Sequence, residues 1–348
     1  MRARLVFFSC LLVGLVFFLS RYFVSPKSAA NRSGFASLLP AAPATTSPAT
    51  EVTNVFAHNL MLRKGPGFRV YVRWLRGEII PANRNVNPSF DEPGSFSLDV
   101  KDGVIHTNVG DLTNFLNDEL TSFPLKNIAL SGDGNQIKLH GTLHEIVPLP
   151  IELLGTIAAA PGNRIQLHVT QLSLLKIPFG ALLGDFHLTV SSLFHPKPGS
   201  GIEVSGNDVF FDTEKLLPAP HIRGQLKGVR VVNPDFEEVY GNAQEDVARV
   251  AQWRNFLQLT GGTIDFGKLT MHHVDLIMVD LSNDAWFDLD LAHYQEQLVN
   301  GYTRMTPQAG LQIFMPDVEQ IPKTKQNQDI SMEWMKNRNL PPPPDISR

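Results

Sequence analysis

The sequence predicts an α+β protein, mostly antiparallel β, behind an N-terminal membrane anchor. Three observations predict it. Short runs alternate apolar and polar side chains, the period of a strand with one buried face. Turn formers separate those runs at Asp102-Gly103, Gly132-Asp133-Gly134-Asn135 and Pro161-Gly162-Asn163. Two stretches, Leu112–Leu120 and Ile177–Phe194, instead carry apolar residues at helical spacing.

Composition sets the limits. The chain has 348 residues, enough for one large or two ordinary domains with a sizeable core. Its formal net charge of -4 lacks the basic excess of a general nucleic-acid binder, so no nucleic-acid partner is expected. Cys10 is the single cysteine and falls in the N-terminal apolar run. The remainder therefore has no disulfide, no cysteine zinc site and no thiol nucleophile.

The elements follow in order. Arg2 and Arg4 precede the apolar run Leu5–Leu19, and Tyr22-Phe23-Val24 extend it past Arg21. Counted to Val24, this is about 20 residues, the length of a bilayer-spanning helix, with Arg21 snorkelling. Residues 1–24 read as an uncleaved anchor, against a cleaved signal peptide. Residues 25–50, rich in Pro, Ala, Ser and Thr, read as a flexible linker. A folded domain over 51–217 follows. Phe68, Val70, Val72 and Trp74 alternate with Arg69, Tyr71 and Arg73 as a strand. Residues 81–95, with Pro81, Pro88, Pro93 and Gly94, read as a loop. A hairpin turns at Asp102-Gly103, and Asp111 reads as the N-cap of a helix carrying Leu112, Phe115, Leu116 and Leu120 on one face.

The next stretch is the most regular. Lys126–Ser131 and Gln136–His144 form a hairpin, with Ile137, Leu139 and Leu143 of one parity. Ile151, Leu153, Gly155, Ile157 and Ala159 form the next strand, and Ile165, Leu167 and Val169 the one after it. Lys138, His140, Glu152, Thr156, Gln166 and His168 lie between them, so the sheet has one apolar and one wet side. Phe179, Leu182, Leu183, Phe186 and Val190 then cover more than one stripe of a helix. Beyond it, Ile202–Asp212 reads as a strand and Thr213–Leu217 as a turn of helix. A strand-rich extension over 218–316 and a disordered, Pro-rich tail over 317–348 complete the chain.

No reaction centre stands out. There is no Gly-x-Ser-x-Gly elbow and no phosphate-cradling loop. His272 and His273 are strand neighbours pointing to opposite faces, which does not suit a shared metal ion. Asp288, Asp290, His293 and Glu296 form the one acid–base candidate, but no second ligand pair completes it. No enzyme activity, cofactor or metal is expected. The apolar helix reads either as core or as a wall of a groove for acyl chains, because both uses draw on the same residue types.

A resemblance bears on that choice. The segments Leu130-Ser131-Gly132, Ile137-Lys138-Leu139-His140-Gly141, Leu149-Pro150-Ile151, Gly155-Thr156-Ile157, Pro161-Gly162-Asn163-Arg164-Ile165 and Lys176-Ile177-Pro178 resemble the LmeA-type bacterial phospholipid-binding proteins. The similarity spans roughly residues 95–217. It implies a TULIP-like fold, a long curved sheet wrapped around one or two apolar helices, with phospholipid or another acyl lipid held inside. It also implies an envelope location: an inner-membrane protein crossing once, its body in the periplasm. The chain departs from the family in carrying an anchor helix where a lipoprotein signal would stand. Residues 218–316 have no counterpart in it and are similar instead to AsmA-like envelope proteins. On this reading the lipid-binding residues are Phe115, Leu116, Leu120, Leu139, Leu143, Ile151, Leu153, Ile165, Leu167, Val169, Phe179, Leu182 and Phe186. Burying a dozen methylenes at about 0.8 kcal/mol each would outweigh the ordering of the chain. Two other readings stand beside it: an envelope structural or interaction protein with a closed core, and a hydrolase built on the Asp288–Glu296 cluster.

Overall fold

The computed structural model describes residues 52–65, 67–119, 125–144, 148–174, 189–242, 252–282 and 284–337. The predicted anchor and linker, and most of the apolar helix at 177–194, lie outside them. So do residues 243–251, within the strand-rich extension. Among the described residues no helix is long and apolar enough to cross a membrane.

In chain order the strands are β1 (Thr53–Arg63), β2 (Arg69–Pro81), β3 (Phe96–Asn108), β4 (Leu125–Asp133), β5 (Gln136–His144), β6 (Pro148–Ala160), β7 (Arg164–Leu174), β8 (Ile202–Ser205) and β9 (Asp208–Asp212). They continue as β10 (His221–Gly224), β11 (Leu226–Val232), β12 (Asp235–Tyr240), β13 (Phe256–Phe266), β14 (Leu269–Asp280), β15 (Phe287–Asp290), β16 (Tyr302–Met305) and β17 (Leu311–Met315). The helices are α1 (Val109–Glu119), α2 (Val190–Leu193), α3 (Thr213–Leu216), α4 (Tyr294–Val299) and α5 (Met332–Asn337).

The mostly antiparallel character holds, but there are two sheets where the sequence suggested one. The larger has eleven strands, in the order β11-β12-β3-β2-β1-β13-β14-β17-β16, with β10 beside β3 and β15 beside β1. The smaller has six, in the order β4-β5-β6-β7-β9-β8. The strands after residue 218 pair directly with β3 and β1, so this part of the chain continues the first sheet. The two sheets meet at the β4–β5 turn. Gly134 and Val231 exchange backbone hydrogen bonds of 3.0 and 2.6 Å there. Asn233 Nδ2 donates to the Gly132 carbonyl at 2.9 Å.

Strand β1 escaped the periodicity argument for a specific reason. Val55 and Ala57 enter the main core, and then Leu60 and Leu62 do. The inward parity changes at Asn59, whose φ is +47°. Phe56 is buried on the opposite face with Phe256 and Phe314. A strand covered on both sides has no clean alternation.

Several local readings are corrected. Asp102-Gly103 does not turn a hairpin: both residues lie inside β3, which runs unbroken from Phe96 to Asn108, with Gly103 paired to Leu75 of β2 and Tyr240 of β12. The cap of α1 is Asn108, not Asp111: its Oδ1 accepts from the Gly110 and Asp111 amides at 2.9 and 3.3 Å. Asp111 instead pairs with Arg69 at 2.8 Å. Ile202–Asp212 is a hairpin, β8 and β9, because Gly206 at φ +61° turns the chain. The tail after Pro316 is ordered through Asn337, in two 3-10 turns and α5. Ile330 anchors it at 1 % exposure. Its Cδ1 occupies the position a Cβ on Gly267 would take, and Gly267 has φ +59°.

The smaller sheet keeps the parity read from the sequence, with one break. Leu154 faces Gln171 and Gly155 faces Val169, which leaves Thr170 bulged out of β7. Past the bulge the inward position moves from Val169 to Leu172. A Cβ on Gly155 would collide with the His168 carbonyl at this point, so only glycine fits.

Candidate functional site

The apolar face of the smaller sheet does not close completely on the larger one. A cavity of about 190 Å³ remains between them. Strands β5, β6 and β7 supply Ile137, Leu139, Leu143, Ile151, Leu153, Ile157, Ile165 and Leu167, and the bulge adds Leu172. Leu112 and Leu116 of α1 form one wall; Val209 and Phe211 of β9 and Phe236 of β12 form others. The polar residues lining it are Thr107, Thr213 and Glu238.

Seven of the residues named from the sequence line this cavity: Leu116, Leu139, Leu143, Ile151, Leu153, Ile165 and Leu167. Val169 is buried in the same cluster without reaching the space. Phe115 is turned away. Its ring lies 5.0 Å from that of Phe68 in the core of the larger sheet, because one residue along a helix rotates the side chain by about 100° from Leu116. Leu120, Phe179, Leu182 and Phe186 lie outside the described residues. The walls from β9 and β12 were missed. Val209 and Phe211 carried a usable alternation, but Phe236 and Glu238 reach the site through long-range pairing that has no local signal.

The cavity has one polar end. A chamber of about 10 Å³ adjoins it, lined by Lys64, Thr107, Thr213, Leu217, Glu238 and Tyr240 among others. Thr107, Thr213, Leu217 and Glu238 line both spaces. The Tyr240 hydroxyl donates to Glu238 Oε2 at 2.6 Å. Burial holds the Glu238 carboxyl above the usual carboxylate range, opposed by that hydrogen bond and by Lys64. Burial also pushes the Lys64 ammonium down to about 7, against the attraction of Glu238.

On the far side of Lys64 a polar cleft of about 590 Å³ is lined by Lys64, Asp91, His293, Tyr294, Glu296 and Asp329 among others. The acid–base candidate is split here. His293 and Glu296 line the cleft, whereas Asp288 is engaged by Arg63 through two bonds of 2.7 and 2.5 Å. Asp290 lies 3.1 Å from His293 Nδ1. Glu296 Oε2 accepts from the Asn327 amide at 3.0 Å. His272 Nδ1 lies 3.2 Å from Thr263 Oγ1. Among the described residues no group of three or more His, Cys, Asp or Glu side chains is disposed to hold a metal ion. Elsewhere, burial and the adjoining Asp284, Asp280 and Asp288 push the Asp317 carboxyl up to about 7.

No protein-family model matches the chain, and neither a curated protein nor a solved structure matches it.

Proposed function

We propose that the protein binds the acyl chain of a lipid in the cavity between its two sheets, as a non-enzymatic envelope protein tethered by its N-terminal segment. The observation that carries this reading is the cavity itself, an unfilled space walled by leucine, isoleucine, valine and phenylalanine where a core would be packed solid. The resemblance to LmeA-type proteins supports the same ligand class, and with it a TULIP-like sheet and a periplasmic body. The size narrows the ligand. An apolar cavity of about 150 Å³ takes one benzene, so the space here suits roughly eight carbons of one chain. At about 0.8 kcal/mol per methylene the gross gain is about 6 kcal/mol, roughly two thirds that of a dozen methylenes. A single acyl chain, or one of the two chains of a phospholipid, fits this measure.

The test is direct. The full chain, purified and extracted with organic solvent, should yield an acyl lipid at near-stoichiometric amount by mass spectrometry. Leu139→Trp, which fills the space from a partly exposed position, should lower that yield several-fold with the thermal transition retained. An empty extract from the folded native chain favours the structural reading with a closed core.

A further inference from the structure

The ammonium of Lys64 stands where the three spaces follow one another. Lys64 lines the outer polar cleft and the inner chamber, and the chamber shares four residues with the apolar cavity. The residue is 6 % exposed. Its Nζ lies 5.8 Å from the centroid of the Phe68 ring. Its backbone amide donates to the Phe68 carbonyl at 3.0 Å, but among the described residues no ion pair and no hydrogen bond engages the ammonium. Buried charges are ordinarily paired, and an unpaired one is costly. Glu238, the carboxyl that attracts it at longer range, already accepts the Tyr240 hydroxyl.

We propose that the cavity takes a single-chain carboxylic acid whose carboxylate pairs with Lys64. The proposal rests on the lipid-binding reading above and names its ligand. Three observations favour this head. The cation has no hydrogen-bond partner among the described residues whereas Glu238 accepts one from Tyr240, so an anionic head is called for. The chamber of about 10 Å³ has room for roughly one water-sized group, which suits a carboxylate better than a phosphodiester. The apolar cavity suits one chain. Burial raises the Glu238 carboxyl above the usual carboxylate range. It also leaves Lys64 short of full protonation at neutral pH, so the arriving anion draws a proton onto the amine.

The experiment compares decanoate, carrying ¹³C at its carboxyl, with decan-1-ol on the full chain. Decanoate should bind at least tenfold more tightly than decan-1-ol. Its carboxyl resonance should stay that of the anion to lower pH than in free solution. Lys64→Met should weaken decanoate at least tenfold and leave decan-1-ol unchanged, and Lys64→Arg should restore most of the difference. Equal binding of acid and alcohol to the native chain overturns the Lys64 pairing but leaves the acyl-chain cavity standing. If neither probe binds the native chain, the cavity is not a lipid site and both readings fall. The native-chain comparison and the carboxyl titration decide the matter even if Lys64→Met does not fold.

Discussion

Asp317 is a buried carboxyl whose neighbours are carboxyls. Burial comes first among the causes that push it up to about 7, followed by Asp284 at hydrogen-bonding range and the charges of Asp280 and Asp288. An aspartate in the unfolded chain titrates near 3.9. The folded state therefore holds a proton that the unfolded state has lost between about pH 4 and 7. Stability contributed by this group is complete below about pH 4, falls as pH rises to about 7, and is level above. Asp317→Asn should be more stable than the native chain at pH 8, by roughly 1–3 kcal/mol, and equal to it near pH 4. Urea melts at the two pH values would show it; no gain at pH 8 would mean that the carboxylates are not in repulsion. Neither Asp317 nor Lys64 was legible as special in the sequence. Nothing in Arg63-Lys64-Gly65-Pro66 sets Lys64 apart there. Burial by β12, more than a hundred residues later in the chain, makes Lys64 unusual.

At the scale of elements, β5 to β7 and their turns were plainly written. Their residues alternate without interruption up to Thr170, and a single face of each strand meets the cavity. Six of the residues expected to face lipid line a common space for that reason, and Leu116 of α1 joins them. The errors share a cause as well. Phe115 was assigned by helical spacing to a stripe that in fact divides between two cores, one around Phe68 and one at the cavity. Strand β1 was hidden by the parity change at Asn59. The tail was read as disordered from its proline and polar content, yet Ile321 and Ile330 are buried and Trp334 and Met335 pack against the main core. Ile330→Ala removes a side chain that is 1 % exposed beside Gly267. Such truncations cost about 2–5 kcal/mol, and chemical denaturation should find the variant near the lower end because the tail can relax. Protease cleavage near residue 330 should also become faster in the variant. An unchanged midpoint and cleavage rate would mean that the tail contributes nothing to the fold.

For the whole molecule, the fold is set by pairings between distant parts of the chain, which is why its two-sheet plan was not legible in local patterns. The first strand is internal to the larger sheet, flanked by β2 on one side and by β13 and β15 on the other. The cavity likewise needs β12 to close it. A fragment ending at residue 217 contains the whole smaller sheet and every cavity residue expected from the sequence, but lacks β13 and β15, which pair with β1 on the side away from β2, and the Phe236 wall. It should not give a cooperative thermal transition, whereas the full chain should. A cooperative melt of the fragment would establish the smaller sheet as an independent unit. The position of β1 also has a consequence for synthesis. After β1 leaves the ribosome, about 190 further residues must be made before Phe256 arrives to cover its open edge. At about 5–20 residues per second that is roughly 10–40 s during which an unpaired strand edge is exposed. Over that interval the nascent chain is a natural client for a holding chaperone, and its yield in a cell should depend on the speed of translation through the second half of the message.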